Sequence, residues 1–438
     1  MKIVALGILG VIAIVIFFLF NPRIIYNLVI AFYHTGIKIS SLWNNKASLW
    51  LKGRRNIFLE LNNNFHFPNH KKIWIHCASL GEFEQGRPII ESLRAQYPKH
   101  KILLTFFSPS GYEVRKNYDK VDYVSYLPID TKQNARKFFD IVQPTFVIFV
   151  KYEFWLHFVE VLHKNKKPLY LISAIFKKNM IFFKWYGKLF RNMLKKFTEI
   201  FVQEERSLKL LQEIKLTNAT ITYDTRFDRV LEVASNHTEN EIAKKFTEGF
   251  NVLVAGSTWP TDERKVATAF YKNLVHSNFK LIIAPHNIDK NHLEKTKKRF
   301  EKFSFLYSSV SSLEDLNLLN KRVMIIDNIG MLSSLYKYAD VCYVGGGFDK
   351  GIHNVLEAAV YRKPVFFGPK HKHSTEAIEL VKLGSGFVVQ TSDDLLKQLK
   401  FMGNFEVLYK GICANAGKYV SDRCGGTKKI IEKIKANL

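Results

Sequence analysis

The chain has 438 residues, 47% hydrophobic and 24% charged, which fits about two or three globular domains and excludes a disordered or fibrous protein. Its 65 lysines and arginines outnumber 39 acids, and a formal charge of +26 calls for an acidic partner, either nucleic acid or an anionic membrane. The four cysteines form no CxxC pair, so no zinc site is legible and buried, reduced thiols are expected.

Residues 3–20 carry no charge and no polar side chain, a run just long enough to span a bilayer as a helix. Asn21-Pro22-Arg23 follows in place of a small-residue cleavage site, so the run reads as an anchor rather than a cleaved signal. Lys2 precedes it, whereas Arg23, Lys38, Lys46, Lys52, Arg54 and Arg55 follow. The positive-inside rule then places the body of the protein in the cytoplasm.

From Ile73 onward short apolar runs alternate with helical stretches, the signature of parallel sheets covered on both faces. The first half predicts strands at 73–77, 101–106, 123–127, 146–150, 168–173, 199–203 and 220–223. Ligands of such sheets sit beyond the carboxyl ends of the strands, so the loops there are the places to look for chemistry. Glu82 falls at a helix start after the first strand, where it could act as a general base or complete a capping arrangement with Ser79. Lys151-Tyr152-Glu153 follows the buried fourth strand. Arg226, between Asp224 and Asp228, suits a phosphate or sugar carboxylate, or equally a salt bridge. Residues 176–197 interleave aromatic and aliphatic residues with six lysines and an arginine, as expected of a helix lying on a membrane or of a partly buried amphipathic helix with a solvated basic face. That stretch and the anchor favour a membrane over nucleic acid.

After a polar, helical linker at 229–250, the second half predicts strands at 251–257, 280–286, 323–327, 341–345 and 364–368. Gly345-Gly346-Gly347 would let a backbone approach a bound group, ahead of a helix opening near Asn354 and closing before Lys363. Asn354 and Glu357 share a helix face, and a carboxylate there suits ribose hydroxyls better than phosphate. Pro285-His286 could stack on a base. The expected architecture is α/β, with two doubly wound domains facing across a cleft and a transmembrane helix ahead of them. The expected divisions are 1–22 anchor, 23–228 first domain, 229–250 linker and 251–438 second domain. His371 and His373 lack nearby acids, so no metal is expected.

The order of motifs resembles one family. Ser79-Leu80-Gly81-Glu82, Ser257-Thr258-Trp259-Pro260 with Asp262-Glu263, Ala284-Pro285-His286, Asp327-Asn328-Ile329-Gly330, the 343–348 glycine run and 351–359 (GIHNVLEAA) are similar to the lipopolysaccharide Kdo transferases. The resemblance implies a membrane-anchored GT-B glycosyltransferase with Rossmann-like domains. It would transfer 3-deoxy-D-manno-octulosonic acid (Kdo) from CMP-Kdo to a tetraacyl lipid A precursor at the inner membrane, without a cofactor. It places the general base on Glu82. It also places CMP contacts on Pro285, His286, Gly330, Met331, Leu332, Asn354, Val355, Leu356 and Glu357. Three departures stand out. Lys151 replaces a family acid, Arg226 takes the place of a lysine, and His286 takes the place of an arginine. Lys151 cannot carry a proton as an acid would, although its charge can neutralise an anion. The alternatives are a GT-B enzyme using a nucleoside diphosphate sugar on a lipid-linked acceptor, or a non-catalytic protein binding anionic lipid or nucleic acid.

Overall fold

The computed structural model describes residues 21–437, apart from 237, 238, 274 and 276. The anchor expected at 3–20 lies outside these residues. Among the described residues no helix is long and apolar enough to cross a membrane.

Two compact units are present, each built on a seven-stranded parallel sheet. The first sheet comprises β1 (Lys72–Cys77), β2 (Lys101–Phe106), β3 (Tyr123–Tyr126), β4 (Phe146–Val150), β5 (Leu169–Ala174), β6 (Glu199–Val202) and β7 (Ala219–Ile221), ordered β3-β2-β1-β4-β5-β6-β7. Its strands are continuous apolar runs because both faces are covered. Side chains alternate between those faces: Trp74, Leu103 and Val147 enter one core, while Ile73, Ile75, Ile102 and Ile148 enter the other. The second core is closed by the Leu80–Gln96 helix and by Ile430, Ile431 and Ile434 of the Gly426–Ala436 helix. The last residues therefore return to the first unit, a correction to the expected division that gave them to the second. An apolar face on that helix finds its partner only once the first sheet is formed.

The second unit, Phe227–Cys424, contains β8 (Asn251–Thr258), β9 (Phe279–Pro285), β10 (Ser304–Leu306), β11 (Val323–Ile325), β12 (Val341–Val344), β13 (Val365–Phe367) and β14 (Gly386–Val388). Its order is β10-β11-β9-β8-β12-β13-β14. The strands expected from apolar runs are present, and two more, β10 and β14, are three-residue strands at the sheet edges that no apolar run announces. The expected linker is helical, as its sequence suggests. It forms the helices Arg226–Asn236 and Glu241–Thr247, and Phe246 is buried against Phe305.

Residues 176–197 differ from the expected membrane helix. They form a short 3₁₀ turn, Ile181–Phe183, and a seven-residue helix, Lys188–Leu194. Phe176, Phe182, Met193, Leu194 and Phe197 enter the core, and Trp185 and Tyr186 remain exposed. The aromatic residues of this stretch serve mainly to hold the first unit together.

Candidate functional site

The first unit gathers its expected residues at the carboxyl edge of the sheet. Glu82 lies in the first turn of the Leu80–Gln96 helix, beside the end of β1. Its carboxylate accepts a hydrogen bond from the Ser79 hydroxyl and lies 3.9 Å from Lys151 Nζ. The Glu82 side chain is 18% exposed, so the group is sheltered but reachable. Lys151 follows β4 with φ +71°, a left-handed conformation that strains a lysine. Ser173 (φ +53°), near the end of β5, and Tyr223 (φ +59°), beyond β7, lie at the same edge with positive φ. Strain of this kind collects where side chains are aimed at a site.

Arg226 is held by Asp224, with Nε and Nη2 donating to Oδ2 at 3.1 and 2.9 Å. Asp224 is buried and also accepts from Gln85 Nε2 at 2.6 Å, which ties it to the helix carrying Glu82. Burial opposes charge on Asp224, but the Arg226 guanidinium, the Arg226 backbone N–H and Gln85 hold its carboxyl below the usual carboxylate range. The salt-bridge reading of Arg226 is thus present in the structure. Glu153 is buried. It bonds His76 Nε2 at 2.7 Å and accepts from Trp155 Nε1 at 2.6 Å, so it anchors the loop instead of facing a substrate.

In the second unit the loops after β8, β9 and β12 converge. A side chain at Gly345 would meet the Ser257 oxygen at 2.3 Å, which explains why the backbones can approach only with glycine there. Asp262 is fully buried and accepts from Trp259 N (2.9 Å), Gly346 N (2.9 Å) and the Tyr343 hydroxyl (2.7 Å). It thereby stitches the glycine loop to the end of β8. Trp259 Nε1 donates to His353 Nε2 at 3.0 Å. His286 stacks on both rings, with centroids 4.7 Å from Trp259 and 4.5 Å from His353. Because those two rings meet at their edges, they lie on one face of His286, which itself stays exposed.

The indole N–H fixes His353 Nε2 as an acceptor, and burial and neighbouring His286 push that imidazole down to about 4. Burial and Lys350 also lower His286. Imidazole chemical shifts should show His353 still neutral near about pH 5, where an ordinary histidine is protonated. Since folding depresses this pKa, the stability it contributes is present above about 6.5 and is lost as pH falls toward about 4. His353→Gln should flatten the dependence of unfolding temperature on pH in that window. An unchanged slope would contradict the assignment.

The remaining expected contacts divide by burial. Gly330 (φ +99°) is exposed, while Met331 and Leu332 are half-buried. A Cβ at Gly256 would meet Leu332 at 2.6 Å, so that loop packs on β8. Asn354 Nδ2 donates to Glu357 Oε1 at 3.1 Å, which brings the two expected residues together. Pro285, Val355 and Leu356 are buried, so the latter two could meet a ligand only through backbone. The helix expected from Asn354 onward is a single turn, Leu356–Ala359, and the Leu356 N–H is already taken by Asn354 Oδ1. A single turn has little macrodipole to offer a phosphate. Trp259, Asp262 and His353 were visible within motifs, but nothing in their spacing indicated that they would meet.

Residues 54–229 match the family described as 3-deoxy-D-manno-octulosonic-acid transferase (kdotransferase). A 3-deoxy-D-manno-octulosonic acid transferase of Rickettsia felis is 27% identical over 358 residues, covering 80% of this chain and 76% of that protein. The Aquifex aeolicus protein of the same name is 29% identical over 332 residues, 75% of this chain and 84% of its own. Among solved structures, the UDP-GlcNAc 2-epimerase of Neisseria meningitidis aligns with a TM-score of 0.57 at 15% identity, covering 83% of this chain and all of that one. A glycosyltransferase from Rickettsia africae aligns at 0.53 with 14% identity, covering 84% of this chain and 98% of its own. At such identities these structures speak for the fold alone, which is GT-B.

Proposed function

We propose that this chain, a glycosyltransferase and a GT-B relative of the Kdo transferases, moves Kdo from CMP-Kdo to a tetraacyl lipid A precursor with release of CMP. The observation that carries this reading is the sheltered Glu82 carboxylate at the carboxyl edge of the first sheet, bonded to Ser79 and 3.9 Å from Lys151. In this reading Glu82 takes the proton from a sugar hydroxyl of the lipid as that oxygen attacks the anomeric carbon, inverting it. Lys151 supplies positive charge to an anionic group beside the base. Arg226, paired with Asp224, orders the same edge and adds to its positive potential.

The second unit takes the nucleotide. The exposed His286 ring, backed by Trp259 and His353, is a platform for the base. Glu357, oriented by Asn354, accepts the ribose hydroxyls, and the loops at Gly330–Leu332 and Gly345–Gly347 line the sugar phosphate. Residues 3–20 anchor the enzyme to the inner membrane, with its catalytic units in the cytoplasm.

The test is CMP release from CMP-Kdo with and without the lipid, following the lipid by mass spectrometry. Release that depends on the acceptor, with a Kdo-sized gain in lipid mass, is the expected result. No release from folded protein at any pH would overturn the reading in favour of another donor sugar.

A further inference from the structure

The first unit contains a cavity of ≈ 680 Å³ between the Pro22–Ser40 and Asn45–Lys52 helices and the segment around Pro128. Four of its lining residues are cations, Lys38, Lys52, Arg54 and Arg55, and no carboxylate among the described residues lines it. Arg54 is held by the fold, donating to the backbone oxygens of Leu127, Trp50 and Phe107. Lys38, Lys52 and Arg55 make no ion pair with a described residue. Trp50, 4% exposed, also lines the cavity, and its buried indole N–H has no acceptor among the described residues. Buried donors are ordinarily satisfied, so this one points to a ligand that accepts a hydrogen bond.

The surroundings of the cavity are apolar. The Pro22–Ser40 helix has no buried residue and exposes Leu28, Val29, Phe32 and Ile39, with Leu42 and Trp43 just beyond it. An ordinary surface helix turns its apolar stripe inward. Here Tyr26, Ile30 and Ile37 are half-buried on the inner side, and a second apolar stripe stays outside, directly after the apolar run at 3–20. Unpaired cations beside exposed apolar residues complement a molecule with an anionic head and acyl chains.

A chain of contacts links the cavity wall to the Glu82 loop. Trp50 packs on Phe107 at 5.7 Å, and Phe107 packs on Trp155 at 4.8 Å. Ser108, the next residue, donates its N–H to Ala78 at 2.8 Å, immediately before Ser79. The geometry points to this cavity as the dock for the phosphate headgroup of a membrane amphiphile, namely the lipid acceptor whose hydroxyl Glu82 deprotonates. Its link to the acceptor rests on the function proposed above.

The test uses the full chain and compares phosphatidylcholine vesicles with and without phosphatidic acid; because an anchor at 3–20 would bind both, vesicle binding is read as the gain in affinity that phosphatidic acid adds. Replacing Lys38, Lys52 and Arg55 by glutamine changes only exposed positions, so the fold should persist. Lys177→Gln, Lys178→Gln and Lys188→Gln together remove the same charge elsewhere on the first unit. The cavity triple is expected to weaken vesicle binding by about a hundredfold, and the control by well under half of that on a logarithmic scale. Trp50→Phe keeps a ring and removes the N–H, and should cost about threefold to tenfold without any change of charge. The lipid acceptor's KM should rise in the same variants while the KM for CMP-Kdo holds. Equal losses in the two triples would overturn the proposal in favour of diffuse attraction. Release of the bound protein by inorganic phosphate would overturn it in favour of a free-anion site. If wild type shows the vesicle pattern but no Kdo transfer, the function falls and the headgroup site stands. If transfer occurs but vesicle binding and KM are unchanged in the cavity variants, the headgroup site falls and the function stands.

Discussion

Replacing Glu82 by glutamine is expected to reduce Kdo transfer by about a hundredfold to ten-thousandfold, the usual range for loss of a general base. Glutamine keeps the size of the side chain and can still accept from the Ser79 hydroxyl, so the helix start should remain formed. What it loses is the ability to take a proton, together with the negative charge that faces Lys151 at 3.9 Å. The pair is long, at 3.9 Å, and both side chains keep some contact with water, so it contributes little to stability and the unfolding temperature should hardly move. The affinity for CMP-Kdo should also hold, because the proposed nucleotide contacts belong to the other unit. Transfer rate, unfolding temperature and donor affinity measured on the same preparation separate these effects. Turnover at the wild-type rate would remove Glu82 from the mechanism.

Asp262→Ala should produce the largest structural loss. Its carboxylate is fully buried and serves three donors: the Trp259 and Gly346 backbone N–H groups and the Tyr343 hydroxyl. Each donor left without a partner costs about 1–3 kcal/mol, and removing a carboxylate that burial disfavours offsets part of the sum, so a total of roughly 3–5 kcal/mol is expected. Domains are stable by only about 5–15 kcal/mol, which makes this a large fraction. At about 2–4 °C per kcal/mol for a unit of this size, the second unit should melt roughly 10 °C earlier. Donor binding should weaken in parallel, since the Gly346 turn loses the bond that holds it to β8. Asp262→Asn should lose much less, because its amide oxygen can keep both backbone bonds, which share Oδ2, while its NH2 donates to the Tyr343 hydroxyl. A melting temperature within a degree or so of wild type, with unchanged donor affinity, would show that the tie is dispensable.

The histidine and tryptophan cluster illustrates why the donor site was only partly legible. His286 and His353 stand out within their motifs, and Pro285-His286 suits stacking on a base. Nothing in the spacing indicates that Trp259 hydrogen-bonds His353 across 94 positions. That contact exists because β8 lies between β9 and β12 in the sheet. The order of strands, rather than distance along the chain, decides which loops meet. Gln85 and Asp224, 139 positions apart, also meet, although β1 and β7 are not neighbours in their sheet.

Local and compositional signals by themselves determined much of this protein. Uninterrupted apolar runs such as 146–150 and 251–257 can be satisfied only by strands covered on both faces, so the parallel α/β fold was readable directly. The Ser79-x-x-Glu82 spacing likewise determined a bond made within one helical turn. Tertiary structure decided whatever depended on partners brought from elsewhere. The aromatic residues of 176–197 would be equally comfortable in a membrane or in a core, because both remove them from water. Only packing against the first unit settled that Phe176, Phe182 and Phe197 turn inward. The same physics sent the Gly426–Ala436 helix back to the first sheet and brought Gln85 to buried Asp224. It also limited the helix expected after Asn354 to one turn. An apolar face or a charge in a sequence states a need, and the folded chain determines which neighbour meets it.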